Sequence, residues 1–217
     1  MRFRIAFSGL AALVALTACG ASEYTYVTNS DDRAYARVPA AWRPVDEAGL
    51  ASAIGLDPSV PFEDQGIWIE AYDSAEQPSS AHVFGPSTPE PAVVMIVQDI
   101  PEQMRGQYSL DRLRDLFQPV SPARRQQAAT NPASPLSGFG LLRDEVLTPG
   151  DGLRGVHVTY QYRIGGEPFQ VFDQVAYLND DASKLYALVA RCSTACYGER
   201  REEIDRVVSS FTVLEGS

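Results

Sequence analysis

The chain is short of the side chains that carry most catalytic chemistry, with two histidines, three cysteines and a single lysine, Lys184, in 217 residues. A zinc site draws on about four Cys, His or acidic ligands, and no Cys/His partner spacing is present to supply them. Lys184 stands at a strand entrance without a Ser-x-x-Lys context and reads as an exposed lysine. The Gly-x-Ser-x-Gly turn of serine hydrolases is missing, and its nearest approach, Ser137-Gly-Phe-Gly140, lies in a Pro-rich stretch. Gly150-Asp-Gly152 lacks the strand–glycine–helix context of a phosphate loop. Beyond residue 18 the longest apolar run is 92–97 (AVVMIV), far below the roughly 18 residues of a spanning helix. Positive charge is also scarce: Lys+Arg is 18 against Asp+Glu 28, a formal charge of −10. Residues 1–18 hold Arg2, Arg4 and no acid, so a chain beginning at Cys19 loses two positive charges and carries −12. Such a surface repels phosphate backbones and argues against a nucleic-acid partner. With 45% apolar and 21% charged residues, what remains is one ordinary globular domain.

The N-terminus is informative. Arg2 and Arg4 precede an apolar stretch over 5–16, and Leu16-Thr17-Ala18-Cys19-Gly20 follows. The stretch has the length of a signal-peptide core and is too short for a bilayer anchor. The end of it resembles the bacterial lipoprotein lipobox, [LVI]-[AST]-[GA]-C. That resemblance implies removal of residues 1–18, a diacylglycerol on the Cys19 thiol, and a protein held to the extracytoplasmic face of the cell membrane. Two acyl chains make a stable anchor, since each buried CH₂ contributes about 0.8 kcal/mol. The competing reading is an ordinary secretory signal with a chance cysteine nearby. Seventeen arginines to one lysine suit a GC-rich genome, and with the lipobox point towards an actinobacterium.

Export leaves Cys192 and Cys196 in an oxidising compartment. In Cys192-Ser-Thr-Ala-Cys196 at a strand-to-helix junction, the Cα atoms can lie within about 6 Å, which is disulfide range. A redox pair more often has Cys-x-x-Cys at a helix start with basic neighbours, and half a metal site would want ligands elsewhere.

Residues 20–33 are polar and turn-rich and read as a short lipidated tether (19–33) ahead of a single domain, 34–217. Strands are expected from 34, over 65–72 (QGIWIEAY), 92–98 and 139–147, then over 156–164, 169–177 and 184–191. In 156–164, Val156, Val158, Tyr160, Tyr162 and Ile164 alternate with His157, Thr159, Gln161 and Arg163, a strand with one wet face. Gly165-Gly166 marks a hairpin. Helices are expected over 110–117, capped by Ser109, and over 199–210. The Pro- and Ser-rich stretches 73–91 and 119–138 read as irregular loops, the first mobile. The fold class is therefore α+β, an antiparallel β-sheet meander packed against helices.

The order of these parts resembles the PsbP/Mog1-like fold of PsbP proteins and of actinobacterial lipoproteins of the LpqN type. The residues behind it are the early strand ending in Val38-Pro39-Ala-Ala-Trp42, the central helix, the hairpin-plus-strand of 156–191 and the closing helix ending in 207–213 (VVSSFTV). The resemblance implies a binding or accessory role and brings no catalytic residue that maps onto this chain.

Candidate chemistry narrows to two side chains. Asp173 falls on the Phe169/Val171/Val175 face of its strand, where a carboxylate needs a partner. His157 faces away from the Val/Tyr stripe and could line a groove on the open sheet face. His82 reads as solvated, and the acidic pairs Asp31-Asp32, Asp180-Asp181 and Glu202-Glu203 read as turn and helix-start residues. Trp68, Tyr72, Tyr160, Tyr162, Phe172 and Tyr186 could line a groove for a hydrophobic or glycan ligand, though at strand spacing aromatics are commonly core.

Three functions remain. One is a non-catalytic, membrane-anchored binding or accessory lipoprotein whose partners are the membrane, through Cys19, and a cell-envelope protein or small hydrophobic ligand. The second is an extracytoplasmic hydrolase or metal-assisted enzyme with a site near His157 and Asp173. The third is a structural envelope protein that makes contacts through the loops 73–91 and 119–138. Neither a cofactor nor a metal is implied.

Overall fold

The computed structural model describes residues 22–214. The leader expected over 1–18 and the lipidation expected at Cys19 lie outside the described residues. The chain runs β1 (Tyr24–Asn29), β2 (Ala34–Pro39), β3 (Arg43–Pro44), α1 (Glu47–Ile54), β4 (Ile67–Asp73), α2 (Ser80–Phe84), β5 (Ala92–Asp99) and α3 (Glu102–Arg105). It continues through α4 (Leu110–Arg114), α5 (Pro122–Thr130), β6 (Leu136–Gly150), β7 (Leu153–Ile164), β8 (Gln170–Leu178), β9 (Lys184–Ser193), α6 (Thr194–Ser209) and β10 (Thr212–Val213).

An antiparallel seven-stranded sheet in the order β3-β4-β5-β9-β8-β7-β6 forms the body. β8 and β9 are buried along almost their whole length because both faces are covered; β9 is apolar throughout 185–190, whereas β8 buries Gln170, Asp173 and Gln174 among its apolar residues. One face packs against α6 and a small second sheet, β1-β2-β10, through Val27, Val38, Trp42, Ile204, Val207 and Phe211. The opposite face carries Leu50 of α1 and Val83 of α2 over Ile69, Val94, Tyr160 and Val189, with Leu113 of α4 beside them over Val156 and Ala187. The expected α+β class and antiparallel meander are what the chain adopts.

Several local expectations are corrected. The stretch read as tether contains β1, paired with β2 from Tyr24↔Pro39 to Asn29↔Ala34, so the domain already includes Tyr24. Its alternation is real, with Val27 and Asn29 buried, but short and masked by polar neighbours. The lysine read as exposed is ion-paired: Lys184 Nζ meets Asp32 and lies 2.7 Å from Asp99, tying the β1–β2 turn to the main sheet.

The loop 73–91, expected to be mobile, is pinned. Asp73, wholly buried, accepts from the Ala75 and Ser79 amides, and its Oδ2 lies 2.8 Å from His82 Nδ1. His82 is therefore a partner of a buried carboxylate rather than a solvated side chain. Ser79 caps α2, while buried Arg191 donates to the Val83 and Gly85 carbonyls at 3.1 and 2.8 Å.

Residues 119–138 likewise hold a helix, α5, capped by Ser121 with Pro122 in its first turn. It buries no side chain, so no apolar period announced it. The expected 110–117 helix stops at Arg114 because Asp115 turns the chain: its Oδ1 accepts from the Val120 and Ser121 amides at 2.7 and 2.8 Å.

Candidate functional site

The alternation of β7 sends Val156, Val158 and Tyr160 to one face of the sheet and His157 and Thr159 to the other. On the neighbouring β8, Asp173 pairs with Thr159 and Val175 with His157, so Asp173 reaches the same face diagonally from His157. The register thus brings into contact the two residues that the sequence places near one candidate site. His157 Nε2 lies 2.7 Å from Asp173 Oδ1, and Thr159 Oγ1 donates to the same oxygen at 3.1 Å.

A third donor comes from α6. Ser193 caps this helix by accepting from the Cys196 amide, and the Cys192–Cys196 bridge, with Cα atoms 6.0 Å apart, closes the junction between β9 and α6. The next residue, Tyr197, donates its hydroxyl to Asp173 Oδ2 at 3.0 Å. Asp173 is only 2% exposed, so these three donors compensate a charge that would otherwise be stranded. Burial, and then the Asp173 charge, pushes the Tyr197 phenol well above the ordinary tyrosine range and keeps it a donor.

These groups floor a cleft of about 590 Å³ between α6 and the β6–β8 end of the sheet. Leu142, Arg143, Arg201, Asp205, Arg206 and Val208 form its walls. Arg143 pairs with Glu145 at 2.6 Å, which lowers the Glu145 carboxyl and raises the guanidinium. Arg201 lies 3.6 Å from Asp205. A carboxylate accepts, so the His157 Nε2–H is the donor in its contact with Asp173. A general base needs a nucleophile in reach, yet Thr159 and Tyr197 both give their hydroxyl protons to Asp173. The arrangement can fix the orientation of the His157 ring and present a polar floor to a ligand.

The other candidates are spread through the fold. Trp68, Tyr72 and Tyr186 belong to the α6-side core, while Tyr160, Tyr162 and Phe172 belong to the opposite one, where Tyr160 stacks on Phe172 at 5.2 Å. Strand alternation therefore divides the aromatics between two faces and makes no common groove of them. Asp32 and Asp181 meet Lys184 and Arg105, and Glu203 accepts from Trp42 Nε1 and Arg200. No group of three or more His, Cys, Asp or Glu among the described residues is placed to hold a metal ion. None of the described helices is long and apolar enough to cross a membrane.

Sequence reasoning missed Thr159, Tyr197 and the cleft arginines. Thr159 was legible, since it shares the alternating face of His157. Tyr197 was not, because only the turn at the cysteine pair brings its ring over β8.

No family model and no curated protein matches the sequence. Solved structures do match in shape. The cyanobacterial PsbP (CyanoP) of Synechocystis sp. PCC 6803 superposes with a TM-score of 0.50 at 16% identity, over 93% of this chain and 99% of its own. The Ran-binding protein Mog1p of Saccharomyces cerevisiae gives 0.46 at 8% identity, over 90% and 97%. LpqN of Mycobacterium tuberculosis, described as involved in cell envelope biogenesis, gives 0.40 at 14%, over 88% and 90%. The likeness to CyanoP spans nearly all of both chains, and the domain has a PsbP-like α+β fold.

Proposed function

We propose that this chain is a bacterial lipoprotein, acylated at Cys19 and held on the extracytoplasmic face of the cell membrane, with a non-catalytic binding or accessory role at the envelope. The cleft under α6 is its binding site. The observation that carries the binding reading is the hydrogen-bond saturation of Asp173: both hydroxyls near His157 are committed to the carboxylate, so the site is preorganised without an activated nucleophile. Anchoring is supported by the lipobox, 16–20 (LTACG), and the Cys192–Cys196 bridge suits an oxidising compartment. Tyr24 is only five residues beyond Cys19, a reach of at most about 18 Å, so β1 would hold the domain against the headgroups.

Cell fractionation tests the anchor. The native protein should sediment with membranes, and Cys19→Ala should release it; a Cys19→Ala chain that stays in the membrane fraction refutes acylation at that site. A second reading, an extracytoplasmic hydrolase, is favoured by the 2.7 Å His157–Asp173 contact alone. It requires an ester, amide or phosphoester activity of the purified protein that falls at least 100-fold in His157→Ala; equal rates in the native chain and the variant eliminate it.

A further inference from the structure

The two edges of the main sheet are unequal. At one end β3 offers two residues, the second of them Pro44, which has no amide hydrogen to donate. At the other end β6 runs for 15 residues and, among the described residues, pairs only with β7. Leu141, Leu142 and Val146 are each about half exposed along it, at 49%, 55% and 54%. A long edge with apolar side chains is a template for another strand unless it is guarded. β6 has register breaks between Leu141 and Arg143 and between Leu147 and Gly150, and between these breaks 143–147 is regular.

The sequence there is Leu141-Leu-Arg-Asp-Glu-Val-Leu147. Reversed about Asp144, it sets apolar residues against apolar residues and Arg143 against Glu145. We propose that β6 is a homodimerisation edge, on which a second copy of this chain adds its own β6 antiparallel about a two-fold axis at Asp144. Arg143 then faces the partner's Glu145, and Glu145 faces the partner's Arg143. Leu141 and Leu142, at the register break, come near the partner's Leu147 and the partner's Val146 and flank the regular pairs. Side chains directly opposite in an antiparallel pair have Cβ atoms about 4.5–5.5 Å apart, close enough for both ion pairs to form.

Asp144 meets its own copy on the axis, where two bare carboxylates would repel. Each arrives already clasped by Arg114, whose Nε lies 2.9 and 3.1 Å from its two oxygens. At the axis two Asp144 carboxylates thus meet two guanidiniums, each of which also holds Asp111 of its own chain at 3.0 Å. Because the same patch is used by both copies, the contact is isologous and closes at two, and the β3 edge offers no second site for growth. The pairing joins two seven-stranded sheets and brings the partner's Glu145 to the rim of the cleft, where Arg143 stands.

A few cross-strand pairs hold two copies weakly in dilute solution. On the proposed membrane anchor, confinement raises the effective concentration and fills the dimer. Only that enhancement rests on the anchoring reading; the pairing is a property of the chain.

The test uses the mature chain, residues 19–217, with Cys19→Ala, so a failure of anchoring does not affect it. Asp144→Cys should give a reducible covalent dimer under mild oxidation, while Tyr26→Cys, at a 72% exposed position on β1, should give none. By sedimentation equilibrium, Arg143→Glu and Glu145→Arg should each raise the dimer dissociation constant at least tenfold. The double variant Arg143→Glu/Glu145→Arg should restore it, and each single variant should keep the native circular dichroism spectrum and urea midpoint. A monomer up to millimolar concentration overturns the proposal. So does a dimer indifferent to the charge reversals, or cross-linking no faster at 144 than at 26, since the edge would then be blocked or serve a different partner.

Discussion

Replacing Asp173 probes the centre of the cleft. The carboxylate is 2% exposed and accepts three hydrogen bonds, from His157, Thr159 and Tyr197. A hydrogen bond to a charged group contributes about 1.5–3 kcal/mol, and a buried donor left alone costs about 1–3 kcal/mol. In Asp173→Ala, His157 and the half-buried Tyr197 can turn towards cleft water and recover part of their loss. Thr159, 4% exposed, cannot. The net cost should be about 3–4 kcal/mol, a large part of the roughly 5–15 kcal/mol that stabilises a typical domain. Asp173→Asn keeps the volume and the Oδ1 acceptor, and its amide can donate to the Tyr197 oxygen, so about 1–2 kcal/mol is expected. Tyr197→Phe should cost about 1 kcal/mol, and the Asp173→Asn/Tyr197→Phe double variant less than the two single losses combined, because the residues share one contact. Urea unfolding at pH 7 followed by tryptophan fluorescence reports all four, since Trp42 is buried in the α6-side core. If Asp173→Ala falls within 0.5 kcal/mol of the native chain, or Asn costs as much as Ala, the charge-accepting role assigned to Asp173 is wrong.

Further outcomes concern the bridge, the pinned loop and alkaline pH. Opening the five-residue Cys192–Cys196 loop by Cys192→Ser/Cys196→Ser should cost about 2 kcal/mol of chain-entropy stabilisation. Peptide mapping should find no free thiol at either position in the native protein, and a reactive one would refute the bridge. Arg191→Met removes the donor to Val83 and Gly85, so limited proteolysis should cut within 79–91 faster than in the native chain while β8 and β9 stay protected. Burial raises the phenols of Tyr72 and Tyr162 to about 12 and pushes Tyr160, Tyr177 and Tyr197 up as well. Above pH about 10 the unfolded chain releases phenolic protons that the folded chain retains, so stability is full below that pH and falls as pH climbs towards 12. Arg191, lowered by burial to about 10, acts in the opposite sense, but one guanidinium is outnumbered by five phenols. The urea midpoint should therefore drop between pH 9 and pH 11; an unchanged midpoint contradicts the burial of these rings.

Strand alternation in 156–164 and the near-continuous apolar runs of 92–98 and 184–191 were readable because each reports its own burial through a local period. The charge balance, the resemblance of 16–20 (LTACG) to a lipobox and the four-residue spacing of the cysteines are likewise local features, available without any fold. The helix α5 and the strand β1 were not readable. One buries nothing and the other alternates too briefly, so capping by Ser121 and pairing with β2 decide them. The candidate site divides in the same way. His157 and Asp173 could both be named from their faces: Asp173 because a carboxylate on an apolar stripe stands out in a linear string, His157 because it alternates with the Val/Tyr stripe and so lies on the wet face. That they touch depends on the register of β7 against β8, and that Tyr197 completes the set depends on how α6 leaves β9. Register and helix direction are settled by packing between residues far apart in the chain, where a shift of one position would turn every side chain to the other face.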